Sequence, residues 1–270
     1  MNEIRQLTDL LAVMWTDYCD LNPAARRIYD LLTTQGETVL NDHIALRTFN
    51  HPKLGIKSLA KAFEKYGYVE KADYVFKEKK LYAKHYEHPQ ADLPKIFISE
   101  LELEKVSPLI QDTVSKLVEK ISPDQILSDQ FSVCGRPWEM SHELYSTLAK
   151  ESEYASWVAA FGFRPNHFTV NINALKKFND IHVLNQMIES NGYVLNSSGG
   201  KVKGSVLEHL EQSSTMAEEI AVKFSDGTFK IPGCYYEFAK RHPLADGKLY
   251  QGFVATSADK IFESTNRRSI

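Results

Sequence analysis

One unit of this chain occurs twice, and the repeat restricts the possible folds more than any other feature. In the first copy a strand-like run, NDHIALRTF, carries His43; a helical stretch, GIKSLAKAFEKYGY, follows, and the chain turns at Gly67-Tyr68-Val69. The second copy, RPNHFTVNINALKKFNDIHVLNQMIESNGYV, has His167 in the strand and Gly192-Tyr193-Val194 after the helix. From histidine to glycine is 24 residues in the first copy and 25 in the second. Strand-like stretches then follow in both: DYVFKEKKLYAKHYE and KIFISELEL in one, VLEHLEQSS, EIAVKFSDG and CYYEFAKR in the other. Strand, helix and a run of strands, twice over, predict an α+β fold of two paired βαβββ modules. Side by side, such modules form a cupped mixed sheet whose concave face collects residues from both first strands.

The remaining segments decorate that frame within a single domain. Residues 1–36 read as two helices, with Leu7, Leu10, Leu11 and Met14, then Ile28, Leu31 and Leu32, at helical spacing. Asn22-Pro23 divides them, as an N-cap followed by proline at the first helical position. The first module spans 40–105, a helical insertion 106–160, the second module 161–242, and a tail 243–270 whose polar end, STNRRSI, is expected to fray.

A net charge of −3 leaves no electrostatic footprint for nucleic acid. The cysteines, Cys19, Cys134 and Cys234, are odd in number and in no CxxC pattern, which predicts neither a disulfide framework nor a zinc finger. The N-terminus lacks a basic start and a long apolar core, and no apolar run is long enough to span a bilayer. A soluble protein of a reducing, cytoplasmic compartment is expected.

Alternation puts His43, Ala45 and Arg47 on one face of the first strand, with Ile44 and Leu46 on the other. His167, Thr169 and Asn171 share a face in the same way. Any sheet with a wet side alternates like this, but two histidines at equivalent repeat positions favour a shared task. Two neutral imidazoles with an anionic third ligand suit Fe(II), leaving positions open for substrate and oxygen. The carboxylate candidates are Glu237, in the last strand of the second module, and Glu100 and Glu102, in the corresponding strand of the first. His85-Tyr86-Glu87 and His209-Leu210-Glu211 are rival H-x-E pairs. Gln212 alternates away from Glu211, so at most one of the two points inward. His142-Glu143 lacks a second histidine four residues on, and His51, His88, His182 and His242 read as surface. Arg47 can grip a carboxylate in two-point fashion or serve an edge ion pair. Ser197-Ser198-Gly199-Gly200 reads as a mobile turn.

Taken together, NDHIALRTF, NHFTVNIN, LEQSST and PGCYYEFAKR make the chain resemble the 2-oxoadipate dioxygenase/decarboxylase family, whose fold is similar to the vicinal oxygen chelate superfamily. The resemblance runs from about Leu40 to Lys240. It implies Fe(II) held by His43, His167 and Glu237, with Arg47 on a substrate carboxylate. The implied reaction takes a 2-oxo acid and O2, releases carbon dioxide and hydroxylates the shortened chain; 2-oxoadipate would give 2-hydroxyglutarate. Longer bacterial members carry additional C-terminal sequence that helps shape the substrate pocket, and this chain stops 33 residues after Glu237, so the acid is left open. Two other readings compete. One is a glyoxalase-like lyase or isomerase using Zn or Ni, for which Glu100 or Glu102 would be a fourth ligand; the other is a non-catalytic module that sequesters a small acid.

Overall fold

The computed structural model describes residues 6–265. Two helices open it, α1 (Leu7–Leu21) and α2 (Pro23–Thr34). Asn22 caps the second, its side chain accepting from the Ala25 N–H, and Pro23 sits at the first turn, where its missing N–H costs nothing. The first repeat is β1 (Asn41–Phe49), α3 (Ile56–Glu64), β2 (Val69–Phe76), β3 (Leu81–Glu87) and β4 (Lys95–Leu101). An insertion follows with α4 (Pro108–Val118), α5 (Pro123–Leu127), α6 (His142–Ala149) and α7 (Glu153–Phe161). The second repeat is β5 (Pro165–Asn171), α8 (Ile181–Ser190), β6 (Lys203–Ser205), β7 (Leu210–Ser214), the pair β8 (Glu219–Phe224) and β9 (Gly227–Pro232), and β10 (Tyr235–Arg241). One more helix, α9 (Ala255–Ile261), runs into a 3-10 turn, Phe262–Thr265.

Eight strands form one mixed sheet in the order β2-β3-β4-β1-β5-β10-β7-β6. Its two halves match: β1 pairs with β4 in parallel as β5 does with β10, and the modules join through antiparallel β1 and β5. His43 pairs with Thr169 and Ala45 with His167, either side of Ile44 and Phe168, so a pseudo-twofold axis passes through that last pair and makes His43 and His167 equivalent. Gly67 and Gly192, ending the paired helices, both have positive φ, a backbone that glycine adopts without a Cβ clash.

Two expectations are corrected in the second module. EIAVKFSDG does not join the main sheet; it makes β8 of a separate two-stranded sheet with β9. Nor is VLEHLEQSS one strand, because His209, with φ of +60°, ends a turn before β7.

The convex face of the sheet is apolar and helix-covered. Trp15 and Tyr18 of α1 pack their rings on Phe168 with centroids 5.0 Å away, and Tyr18 donates to the Tyr235 carbonyl. The concave face is covered too. α9 packs against β2 and β6, the two edge strands, and so closes the open side of the cup. The tail therefore does not fray through Thr265: Ser264 and Thr265 are buried, while Asn266 to Ile270 lie outside the described residues. No disulfide links the cysteines, and among the described residues no helix is long and apolar enough to cross a membrane.

Candidate metal centre

At the middle of the concave face β1, β5 and β10 bring His43, His167 and Glu237 together. Each offers a ligand atom, and these atoms all lie within 4.8 Å of one another. The Nε2 atoms face different carboxylate oxygens, His43 at 3.5 Å from Oε1 of Glu237 and His167 at 3.2 Å from Oε2. All three side chains are buried. Burial lowers the pKa of His43, and that of His167 falls well below the ordinary value through burial and the nearby charges of His43 and Arg47. Burial likewise pushes the Glu237 carboxyl up to about 8. Two neutral imidazoles facing a carboxyl whose ionised form burial disfavours are a donor set that suits a divalent metal.

Neighbouring side chains hold the set in place. Gln212 donates its Nε2 to Glu237 Oε1 at 2.5 Å, so Gln212 faces inward and Glu211 does not. Thr169 Oγ1 lies 3.1 Å from His43 Nε2. Tyr235 stacks on the His167 ring at 4.5 Å. At Nδ1, His43 meets Asp42 Oδ1 at 2.8 Å and His167 meets Asn166 Oδ1 at 3.1 Å.

Arg47 lines the same cavity, four residues along β1 from His43. Its guanidinium carbon lies 5.0, 5.1 and 5.5 Å from the ring centroids of Tyr154, Trp157 and Phe262. Nη1 donates to Glu153 at 3.1 Å and Nη2 to Thr265 Oγ1 at a long 3.3 Å. Nε is buried without a hydrogen-bond partner among the described residues, so the Nε/Nη2 edge is only partly satisfied.

The other carboxylates go elsewhere. Glu100 points to the convex side and accepts from the Ile56 N–H at 2.9 Å, capping α3 where Gly55 has no side chain to do so. Glu102 pairs with Lys105. His85 is buried beside the site, yet its ring nitrogens are taken by Tyr74 and Glu87. His209 sits in the turn before β7, and Glu211 holds His242 at 2.8 Å, so this rival pair does not reach the centre. His182 is exposed, and His51, His88 and His242 are half-buried. Ser197-Ser198-Gly199-Gly200 does not line the cavity.

The cavity holds only about 20 Å3, room for a water molecule, because Phe253, Ile261 and Phe262 close over it. Phe253 stands 4.8 Å from the His43 ring, edge to face. Two larger grooves, of about 580 and 680 Å3, contain none of the three candidate ligands.

Known proteins share this sequence and architecture. The family profile of 2-oxoadipate dioxygenase/decarboxylase matches residues 1–134 and 129–249. The chain belongs to the 2-oxoadipate dioxygenase/decarboxylase family. Among solved structures of relatives, hydroxyglutarate synthase from Oryza sativa in complex with 2-oxoadipate is 35% identical with a TM-score of 0.88, over 95% of this chain and 91% of that one. A Shewanella frigidimarina protein described as a hydrolase is 50% identical with a TM-score of 0.88, over 92% and 97% of the two chains. A glyoxalase-superfamily protein from Ralstonia eutropha, 20% identical with a TM-score of 0.70 over 89% and 83%, shares the fold.

The sequence points to the three candidate ligands and Arg47 and leaves open that Gln212 faces inward, but it does not reveal the contacts of Asp42 and Asn166 with the histidines. Strict alternation turns Asp42 and Asn166 away from the histidines that follow them, which hid their part. The available signal was a side-chain oxygen acceptor directly before the histidine of each copy. Phe253 and Phe262 lie in the tail before its polar end, a stretch to which the sequence assigns no part in the site.

Proposed function

We propose that this member of the 2-oxoadipate dioxygenase/decarboxylase family binds Fe(II) at His43, His167 and Glu237 and converts 2-oxoadipate and O2 to 2-hydroxyglutarate and carbon dioxide. The observation that carries the reading is the buried convergence of two Nε2 atoms and one carboxylate, with Arg47 farther along the same cavity wall. The 2-oxoadipate bound to the rice relative supports the choice of acid. When bound, Fe(II) supplies the template and the redox chemistry for decarboxylation and hydroxylation.

The chain's own residues do the rest. His43 and His167 present neutral Nε2 lone pairs, and Glu237 brings the charge that favours a cation over a proton. Gln212 keeps one oxygen of Glu237 oriented. Arg47 takes the distal carboxylate along its Nε/Nη2 edge while Glu153 holds Nη1, which fixes the chain of the acid relative to the centre. Phe253, Ile261 and Phe262 exclude water from a site where a reactive species must meet only its substrate. Because the cavity is so small, these side chains must move aside for the acid to enter. The atoms balance: one oxygen of O2 ends in the new carboxylate, the other in the hydroxyl group, and the original carboxylate leaves as carbon dioxide.

The lyase or isomerase reading called for a fourth ligand from Glu100 or Glu102, and both are engaged outside the cavity. Oxygen uptake by anaerobically reconstituted Fe(II) protein, across 2-oxo acids of four to seven carbons, tests the proposal. Uptake matched one to one by carbon dioxide, strongest with 2-oxoadipate, is expected. No uptake with any of them, from protein shown to hold iron, would overturn it.

A further inference from the structure

β1 and β5 each carry one β-bulge, and the two are related by the pseudo-twofold axis. On β1 the pairing steps from Asn41–Val170 to His43–Thr169, leaving Asp42 as the extra residue; on β5 it steps from His167–Ala45 to Pro165–Leu46, leaving Asn166 extra. At a bulge the strict alternation of faces lapses, so an extra residue can lie beside its successor instead of behind it. Asp42 Oδ1 is 2.8 Å from His43 Nδ1, and Asn166 Oδ1 is 3.1 Å from His167 Nδ1.

The two acceptors differ by one charge. Asp42 is buried and gripped by Arg241, with Nε to Oδ2 at 2.6 Å and Nη2 to Oδ1 at 2.8 Å; Arg241 Nη1 is in turn held by the carbonyls of Tyr250 and Gly252. A carboxylate so paired can only accept from His43. Asn166, by contrast, is a neutral amide whose Nδ2 has no partner among the described residues.

Resting on the metal reading above, we infer that Asp42 and Asn166 are positioning residues: each holds its histidine with Nδ1 protonated and Nε2 unprotonated, and the charge on Asp42 makes His43 the more strongly donating ligand. Acceptors of this kind fix ring tautomer and orientation, and their loss typically costs about 10- to 100-fold in metal affinity.

Two measurements test this with Co(II) as a spectroscopic probe and with no need for turnover. Long-range nitrogen–proton NMR of the metal-free protein should show both imidazoles as Nδ1–H tautomers. Co(II) titration should show Asp42→Asn weakening binding about 10- to 100-fold, Asn166→Ala by less, and Asn166→Asp strengthening it. Asp42→Asn also leaves Arg241 poorly compensated and can compromise folding, so Asn166→Ala and Asn166→Asp, which disturb no ion pair, keep the titration decisive. Wild-type affinity in both Asn166 variants, or an Nε2–H tautomer at either ring, overturns the inference. If the wild type takes up no Co(II) or Fe(II), the metal reading itself is what fails.

Discussion

The two modules share a backbone plan but divide the chemistry unequally. Across the pseudo-twofold axis His43 answers to His167, whereas Glu237, which pairs with Thr169 on β5, answers to Phe97, which pairs with Ala45 on β1. Arg47 answers by position to Asn171, whose side chain merely accepts from the Asn173 N–H. The second module thus offers two candidate ligands, while the first offers one candidate ligand, the Arg47 guanidinium and an apolar wall. A symmetric scaffold places two histidines almost automatically; the departures from symmetry set the ligand count and give the site a direction.

The largest expected effect follows from removing the shared centre. His43→Ala, His167→Ala and Glu237→Ala should each lose bound iron, by elemental analysis, and activity with it; full iron content in all three would sink the ligand assignment. Arg47→Ala should lower kcat/KM by about 30-fold or more while leaving iron content unchanged, since truncating a buried charge that binds an opposite charge costs about 2–5 kcal/mol. A parallel loss of iron would argue against its substrate role.

Making the halves more alike is the next test. Phe97→Glu puts a carboxylate at the position equivalent to Glu237 and should tighten Zn(II) binding while suppressing oxygen uptake, because a fourth protein ligand fills a position that substrate or oxygen needs. Unchanged Zn(II) affinity in a folded variant would mean that the equivalence does not extend to the centre. Glu100→Ala, on the opposite face, should lower stability by about 1 kcal/mol through loss of the cap on α3, read by denaturant melts, with metal content unaffected.

A pH-dependent effect concerns Lys203 on β6, paired with Gln212 of β7; the Lys203 ammonium is buried and donates to the Asn196 carbonyl. Burial lowers its pKa from 10.5 to about 8. Between these values the unfolded chain binds more protons than the native one, so this residue's contribution to stability improves as pH rises from about 8 and is least favourable below. The difference in stability between wild type and Lys203→Met should therefore shift toward the wild type as the pH of thermal melts goes from 7.5 to 9.5. A constant difference would refute the assignment.

The repeat, the helix boundaries at Asn22 and Gly67, and the concave-facing histidines were readable in one dimension, because periodicity and turn chemistry are local properties. So was the need for an acidic partner, though spacing left Glu100, Glu102 and Glu237 equal and only family resemblance chose among them. Contacts between strands far apart in sequence separated these residues: Glu100 turns to the convex side to cap α3, while Glu237 turns inward beside both histidines. Long-range packing likewise carried Phe253 and Phe262 from the tail onto the cavity, and sent EIAVKFSDG out of the main sheet. The twin bulges show most plainly where local reading stops. A strand read by itself alternates strictly, and only the register between β1 and β5 reveals that Asp42 and Asn166 are extra residues lying beside the histidines they hold.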